Sequence, residues 1–84
     1  MDIQAKVLAF LESQNPVPGA DVTAKLACYY LDAGVIDSVG IVTMITEFED
    51  QFGIRFENDD LQSDEFQTIG GLIAIIQRRK NGAA

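Results

Sequence analysis

Asp37 and Ser38 are the residues of this 84-residue chain best placed to do chemistry. They form a short polar interruption within Gly34–Gly53, GVIDSVGIVTMITEFEDQFG, directly ahead of the strongest helical pattern in the sequence. Counting from Ser38, the apolar side chains Ile41, Met44, Ile45, Phe48 and Phe52 recur at helical spacing, and Gly53 stands where a helix stops. The serine is therefore expected at a helix start, where free N–H groups and the helix dipole favour negative charge. It has no means of attacking a substrate itself. The chain contains no histidine, and its lysines and arginines are distant in sequence, so no base is at hand to activate the hydroxyl. A serine that another protein modifies fits this pattern better than a nucleophile. A plainer role is open as well, since either Asp37 or Ser38 can cap the helix by accepting a first-turn N–H.

Other chemistries find less support. Cys28 is alone, which excludes an intramolecular disulfide, a cysteine metal site and a Cys-His pair, and it reads as a small core or boundary residue. Asp59, Asp60, Asp64 and Glu65 lie close together, but no window supplies the ligand order of an EF-hand loop. A solvated acidic loop is expected, and neither a metal nor a catalytic residue is assigned. With 13 acids against 6 bases the formal charge is −7, which argues against nucleic-acid or anionic-membrane binding and suits partners with basic patches. Nine of the acids fall between Asp37 and Glu65, with Arg55 the single base among them. The N-terminal MDIQAK lacks a basic region followed by an apolar run, and the longest apolar run is Leu72–Ile76, so neither a signal peptide nor a membrane span is expected and the compartment reads as cytosolic.

The elements that must hold Ser38 follow from apolar spacing. Asp2 to Gln14 reads as an amphipathic helix with Ile3, Val7, Phe10 and Leu11 on one face, Asp2 favouring its positive end. Asn15-Pro16-Val17-Pro18-Gly19 ends it. Val17 to Ile36 is a long connection with room for a helical turn or two after Asp21; Leu31, Val35 and Ile36 are expected to plug the core, and Tyr29 and Tyr30 to supply buried area. The second main helix runs from about Ser38 to Phe52. Ile54 and Phe56 read as core pins, and Asn58 to Gln67 as a turn-rich acidic segment with one short helical turn near Ser63–Phe66. Thr68 reads as the N-cap of a last helix whose inner face is Ile69, Leu72, Ile73 and Ile76. Gly70 and Gly71 inside its first turns imply either close approach to a neighbour or a later helix start. Arg78, Arg79 and Lys80 fit its negative end, and Asn81–Ala84 reads as a frayed tail. The fold class is all-α: three main helices plus one short one in a small bundle with a long first loop. One domain is expected over residues 1–84, with an ordered core of about 2–79.

Gly34-Val35-Ile36-Asp37-Ser38-Val39 resembles the G-x-x-D-S-L signature of acyl and peptidyl carrier proteins, and the likeness continues through Phe52-Gly53-Ile54 into Phe66-Gln67-Thr68-Ile69. The resemblance implies a four-helix bundle in which Ser38 carries 4′-phosphopantetheine, transferred from coenzyme A by a phosphopantetheinyl transferase, with Asp37 presenting the serine. It further implies a non-catalytic carrier, acting as a monomer, that moves a thioester-bound acyl or aminoacyl group between enzymes with basic docking patches. By the same resemblance, those enzymes would meet Val39, Gly40, Val42, Thr43, Thr46, Glu47 and Asp50, with Glu49 nearby. The chain departs from the fatty-acid type: Val39 replaces leucine, and Gly40 and Thr43 stand where acids are common. Asp37-Ser38-Val39-Gly40 is similar to D-alanyl carrier proteins, which makes an amino acid a candidate cargo. Met44, Ile45, Leu72 and Ile73 are conceivable lining for a short chain, although core packing is the better reading. The rival, from a different class, is a small acidic helical adaptor that is never modified.

Overall fold

The computed structural model describes residues 3–82 and is all-helical apart from an isolated bridge between Tyr29 and Thr68. Asp2, expected to favour the first helix's positive end, and Ala83–Ala84 of the expected tail lie outside the described residues. Helix α1 spans Ile3–Gln14. Its Val7 and Leu11 are fully buried, and Phe10 sets its ring edge-on to Phe48 with centroids 5.2 Å apart. Asn15 follows, with Pro16 behind it, and its Nδ2 donates to the Val35 carbonyl at 3.0 Å. The residue that closes α1 thereby also fastens the far end of the long loop.

Within that loop Asp21 caps a short helix α2, Val22–Leu26, by accepting the Ala24 N–H at 2.9 Å. The chain then turns through Tyr29–Gly34, where Ala33 N–H donates to Tyr29 O and Gly34 N–H to Leu31 O. The two tyrosines part company. Tyr30 is fully buried and its hydroxyl donates to the Phe66 carbonyl, while Tyr29 is half exposed. Leu31 is also exposed, contrary to the sequence expectation, because it sits on the outside of this turn; Val35 and Ile36 do enter the core.

Helix α3 runs Ser38–Phe52, as the apolar spacing predicts, and ends at Gly53 in the left-handed conformation (φ 65°). Met44, Phe48 and Phe52 form its inner edge, with Ile41 and Ile45 partly buried against the core. Ile54 and Phe56 are pins, as expected. The acidic segment folds into α4, Asn58–Gln62, and a 3-10 turn, Asp64–Gln67, rather than one helical turn.

Helix α5, Ile69–Gly82, is the centre of the packing: it lies against α1, α2 and the 3-10 turn. Ile69, Leu72, Ile73 and Ile76 are buried, and so is Ile75, which the one-sided sequence pattern leaves out. Thr68 Oγ1 accepts the Gly71 N–H at 3.1 Å, which makes it the cap predicted. The helix starts at once, so the two glycines mark close approach: a Cβ on Gly71 would overlap the Glu65 backbone, with the carbonyl carbon at 2.6 Å. The helix continues through Asn81 and Gly82, past the expected limit near residue 79.

Asp60 and the basic end of α5 also depart from the sequence expectation. Asp60 is buried rather than solvated: its carboxylate takes two hydrogen bonds from Arg79 (2.8 and 2.9 Å) and one from the Glu57 N–H at 2.9 Å. The basic end of α5 is likewise more than a match to the helix dipole. Arg78 forks onto Glu65 at 2.9 and 3.2 Å, Arg79 holds Asp60, and Lys80 Nζ reaches the Phe52 carbonyl at 3.3 Å. These contacts fasten α4, the 3-10 turn and the end of α3 to α5.

Candidate functional site

The start of α3 is built by Asp37. Its backbone is extended (φ −99°, ψ −179°), its carbonyl accepts the Ile41 N–H at 2.9 Å, and its Oδ1 accepts the Gly40 N–H at 2.7 Å. The choice between the two capping candidates is thereby resolved in favour of Asp37. Ser38 becomes the first helical residue; it is exposed, and among the described residues its hydroxyl has no side-chain or backbone partner in hydrogen-bond range.

The segment leading to this serine is firmly held. Val35 and Ile36 are buried, both of their N–H groups point to the Tyr30 carbonyl (2.9 and 3.4 Å), and Asn15 holds the Val35 carbonyl. The serine therefore stands on a braced step between core and helix, with its oxygen facing solvent. Among the described residues no side chain accepts a hydrogen bond from it. Lys25 is paired with Glu12, and Arg78, Arg79 and Lys80 are engaged at the far end of α5. What the geometry offers is an accessible oxygen at the positive end of a fifteen-residue helix, suited to carry a phosphodiester.

Beyond Ser38 the outer face of α3 has two halves. Val39 and Val42 are 78% and 66% exposed, and Thr43 lies beside them, so the half next to the serine is neutral and largely apolar. Thr46, whose hydroxyl donates back to the Val42 carbonyl at 3.1 Å, Glu47 and Asp50 continue the exposed face, and the negative charge begins there. Gly40 is partly buried. Glu49 departs from the expected surface set: its Oε2 accepts the Phe56 N–H at 2.9 Å, so its carboxylate fastens the strand-like segment after α3.

Met44 and Leu72 are fully buried, Ile73 is buried and Ile45 is partly buried against the same core cluster, as the packing reading expects. A separate hollow of about 310 Å³ opens between the Tyr29–Gly34 turn and the α4/3-10 region, lined by Tyr29, Leu31, Asp32, Leu61, Phe66 and Gln67. Its apolar wall exists because Leu31 is turned outward, which residue type alone does not signal. No cluster of metal-binding side chains occurs among the described residues. Burial raises the pKa of the lone Cys28 thiol above its ordinary value, which leaves it less reactive than a free cysteine.

Comparison with known proteins gives the chain's family. The family model described as the phosphopantetheine attachment site matches residues 5–76. The D-alanyl carrier protein of Streptococcus sanguinis is 31% identical over 81 residues, covering 96% of this chain and 99% of that protein. D-alanyl carrier protein 2 of Lactiplantibacillus plantarum is 29% identical over 75 residues, covering 89% and 90% respectively. The chain belongs to the phosphopantetheine-bearing carrier protein family, and its small all-α fold is the one that membership implies. The prosthetic group of the family is a covalently bound 4′-phosphopantetheine. No described helix is long and apolar enough to cross a membrane.

Proposed function

We propose that this carrier-family chain is one carrier domain whose Ser38 oxygen holds the phosphopantetheine arm. The observation that carries the assignment is the exposed, unpartnered Ser38 hydroxyl on the first residue of α3, beside an aspartate that spends its own carboxylate on the cap. In the modifying step the Ser38 oxygen bonds to the pantetheine-side phosphorus of coenzyme A. The diphosphate bond breaks, adenosine 3′,5′-bisphosphate leaves, and the serine proton passes to a base on the transferase, since this chain provides none. Asp37 fixes the direction of the serine through the Gly40 N–H, and the braced Val35–Ile36 segment keeps it from retreating. When bound, the arm supplies the terminal thiol on which cargo is held.

The partner surface we assign is Val39, Gly40, Val42, Thr43, Thr46, Glu47 and Asp50. Apolar contact would dominate near the serine, and basic partner groups would meet Glu47 and Asp50. Glu49 is set aside because its carboxylate is committed to Phe56. For the cargo, an aminoacyl group loaded by an adenylating enzyme is favoured over a fatty acyl chain. Support comes from the names of the relatives. The work of such a carrier belongs in the cytosol, where coenzyme A and activating enzymes meet it.

The test is an intact mass after incubation with coenzyme A and a broad-specificity phosphopantetheinyl transferase. Wild type is expected to gain one phosphopantetheine and Ser38→Ala none. A folded wild type that stays unmodified with two such enzymes returns the chain to the adaptor reading.

A further inference from the structure

The position two residues after the serine carries a constraint that neither capping nor helix propensity explains. An ideal Cβ on Gly40 would stand 2.5 Å from Ile36 Cγ1, 3.1 Å from Ile36 Cδ1 and 3.2 Å from Asp37 Oδ1. Gly40 thus packs its bare Cα against the side chain of the last core residue before the site, and it does so beside the carboxylate oxygen that its own N–H binds at 2.7 Å. Ile36 cannot simply yield. It is 4% exposed, it belongs to the main core cluster, and its N–H faces the Tyr30 carbonyl. The contacted Cγ1 lies next to the branch point of a β-branched side chain, so moving it requires a rotamer change within a packed core rather than the swing of a free end.

We infer that Gly40 is a positioning residue for the modification of Ser38: the missing side chain lets α3 seat on Ile36, and that seating holds the Asp37 cap and the serine oxygen in register. The inference rests on Ser38 being the attachment point. A methyl at position 40 has two ways out. It can push Ile36 from its place, or it can tilt the first turn of α3 away from the Ile36–Asp37 step and lengthen the cap bond. Both turn Ser38, because Ser38 lies between the two residues being forced apart. Displacements of this kind matter to a transfer reaction, where a misplacement on the order of 1 Å can cost as much as roughly a hundredfold in rate. The same packing bears on partner choice. In this chain a side chain that extended the acidic face toward the serine would press on Ile36, and without one the first turn of α3 is a low, uncharged step beside Val39 and Val42.

The experiment is a double-mutant cycle on the rate of phosphopantetheine transfer: wild type, Gly40→Ala, Ile36→Ala and the double variant, each at 15 °C and checked for folding by circular dichroism. Gly40→Ala is expected to lower kcat for the carrier substrate by roughly tenfold or more, a larger factor than any rise in KM, since the exposed side chains Val39, Val42, Thr43, Thr46, Glu47 and Asp50 are unchanged. Removing the obstructing Cγ1 in the double variant is expected to recover most of that loss, although the double variant is the less stable protein. A generally structural role for Gly40 predicts the reverse, with the double variant the poorest substrate. Should Ile36→Ala fail to fold, amide exchange decides instead. In Gly40→Ala the residue-40 amide is expected to exchange at least tenfold faster than in wild type while the Phe48 and Phe52 amides keep their protection. Wild-type rates in Gly40→Ala, or an equally protected residue-40 amide, overturn the inference. A wild type that accepts no phosphopantetheine instead refutes the Ser38 assignment, and the two failures are told apart by that lane alone.

Discussion

Replacing Gly71 by alanine separates helix propensity from packing. Gly71 lies in the first turn of α5, and on propensity alone alanine there stabilises a helix by about 1 kcal/mol. The neighbouring 3-10 turn reverses the sign. The new Cβ would overlap the Glu65 carbonyl oxygen and stand 2.6 Å from its carbon and 2.7 Å from its Cα. All three are backbone atoms, so no side chain can swing aside. The turn is also held from behind: Phe66 is buried, its N–H donates to the Ser63 carbonyl, its own carbonyl accepts the Tyr30 hydroxyl, and Glu65 is forked by Arg78. Overpacking at such a site costs about 1–3 kcal/mol. With three backbone atoms in conflict the upper part of that range, about 2–3 kcal/mol, applies, and set against the propensity gain it gives a net loss of about 1–2 kcal/mol. For a domain of this size each kcal/mol moves Tm by roughly 4–8 °C. Urea unfolding followed by far-ultraviolet dichroism would show a lower midpoint at an unchanged slope. Gly70→Ala serves as the control. Its Cβ meets the Leu26 carbonyl oxygen at 3.1 Å, a tight contact with little overlap, so strain and propensity nearly cancel. A Gly71→Ala variant as stable as wild type, or more so, refutes the close approach of α5 to this turn.

Further outcomes follow from the cap and from the buried ion pair. Because Asp37 holds the cap, Asp37→Ala is expected to lose about 1 kcal/mol of stability, whereas Ser38→Ala stays within about 0.5 kcal/mol of wild type in the same urea titration. The Arg79 guanidinium, with the Glu57 N–H assisting against burial, holds the Asp60 carboxyl below its ordinary pKa. A carboxyl with a depressed folded-state pKa contributes stability above its unfolded pKa, and that contribution is lost as pH falls through the lower folded value. The stability gap between wild type and Asp60→Asn is therefore expected to be constant above about pH 5 and to shrink progressively below about pH 4. Urea midpoints at pH 7, 5, 4 and 3 would check this, and a gap that widens on acidification contradicts the pairing.

What the sequence reveals of this fold divides along the range of the interactions. The second main helix is legible from end to end because its signals are local: Asp37 ahead of the apolar repeat, Met44, Phe48 and Phe52 on one edge, and Gly53 to stop it. Thr68 and the core pins Ile54 and Phe56 are legible for the same reason. Features that depend on what lies across the molecule are not. Asp60 looks like its neighbour Asp59 until Arg79 arrives from nineteen residues away. Ile75 lies off the apolar stripe of α5 and is buried because α5 is packed by α1, α2 and the 3-10 turn together. Leu31 is as apolar as Val35, yet a hydrogen-bonded turn faces it outward. At the site itself, residue type marks Asp37 and Ser38, but which of them caps the helix is decided by a single bond to the Gly40 N–H. The role of Glu49 as a brace for Phe56 has no local signature.

Which oxygen carries the arm is the central question for this protein. The sequence allows a direct reading, because the tryptic peptide Leu26–Arg55 contains Ser38 as its sole serine, whereas Ser13 and Ser63 fall in other peptides. After transfer from coenzyme A, fragmentation of the digested protein is expected to release the pantetheine ejection ion from Leu26–Arg55 alone, with the remaining phosphate-derived mass localised to Ser38 rather than Thr43 or Thr46. Modification on a peptide carrying Ser13 or Ser63, or on a threonine of α3, contradicts the assignment.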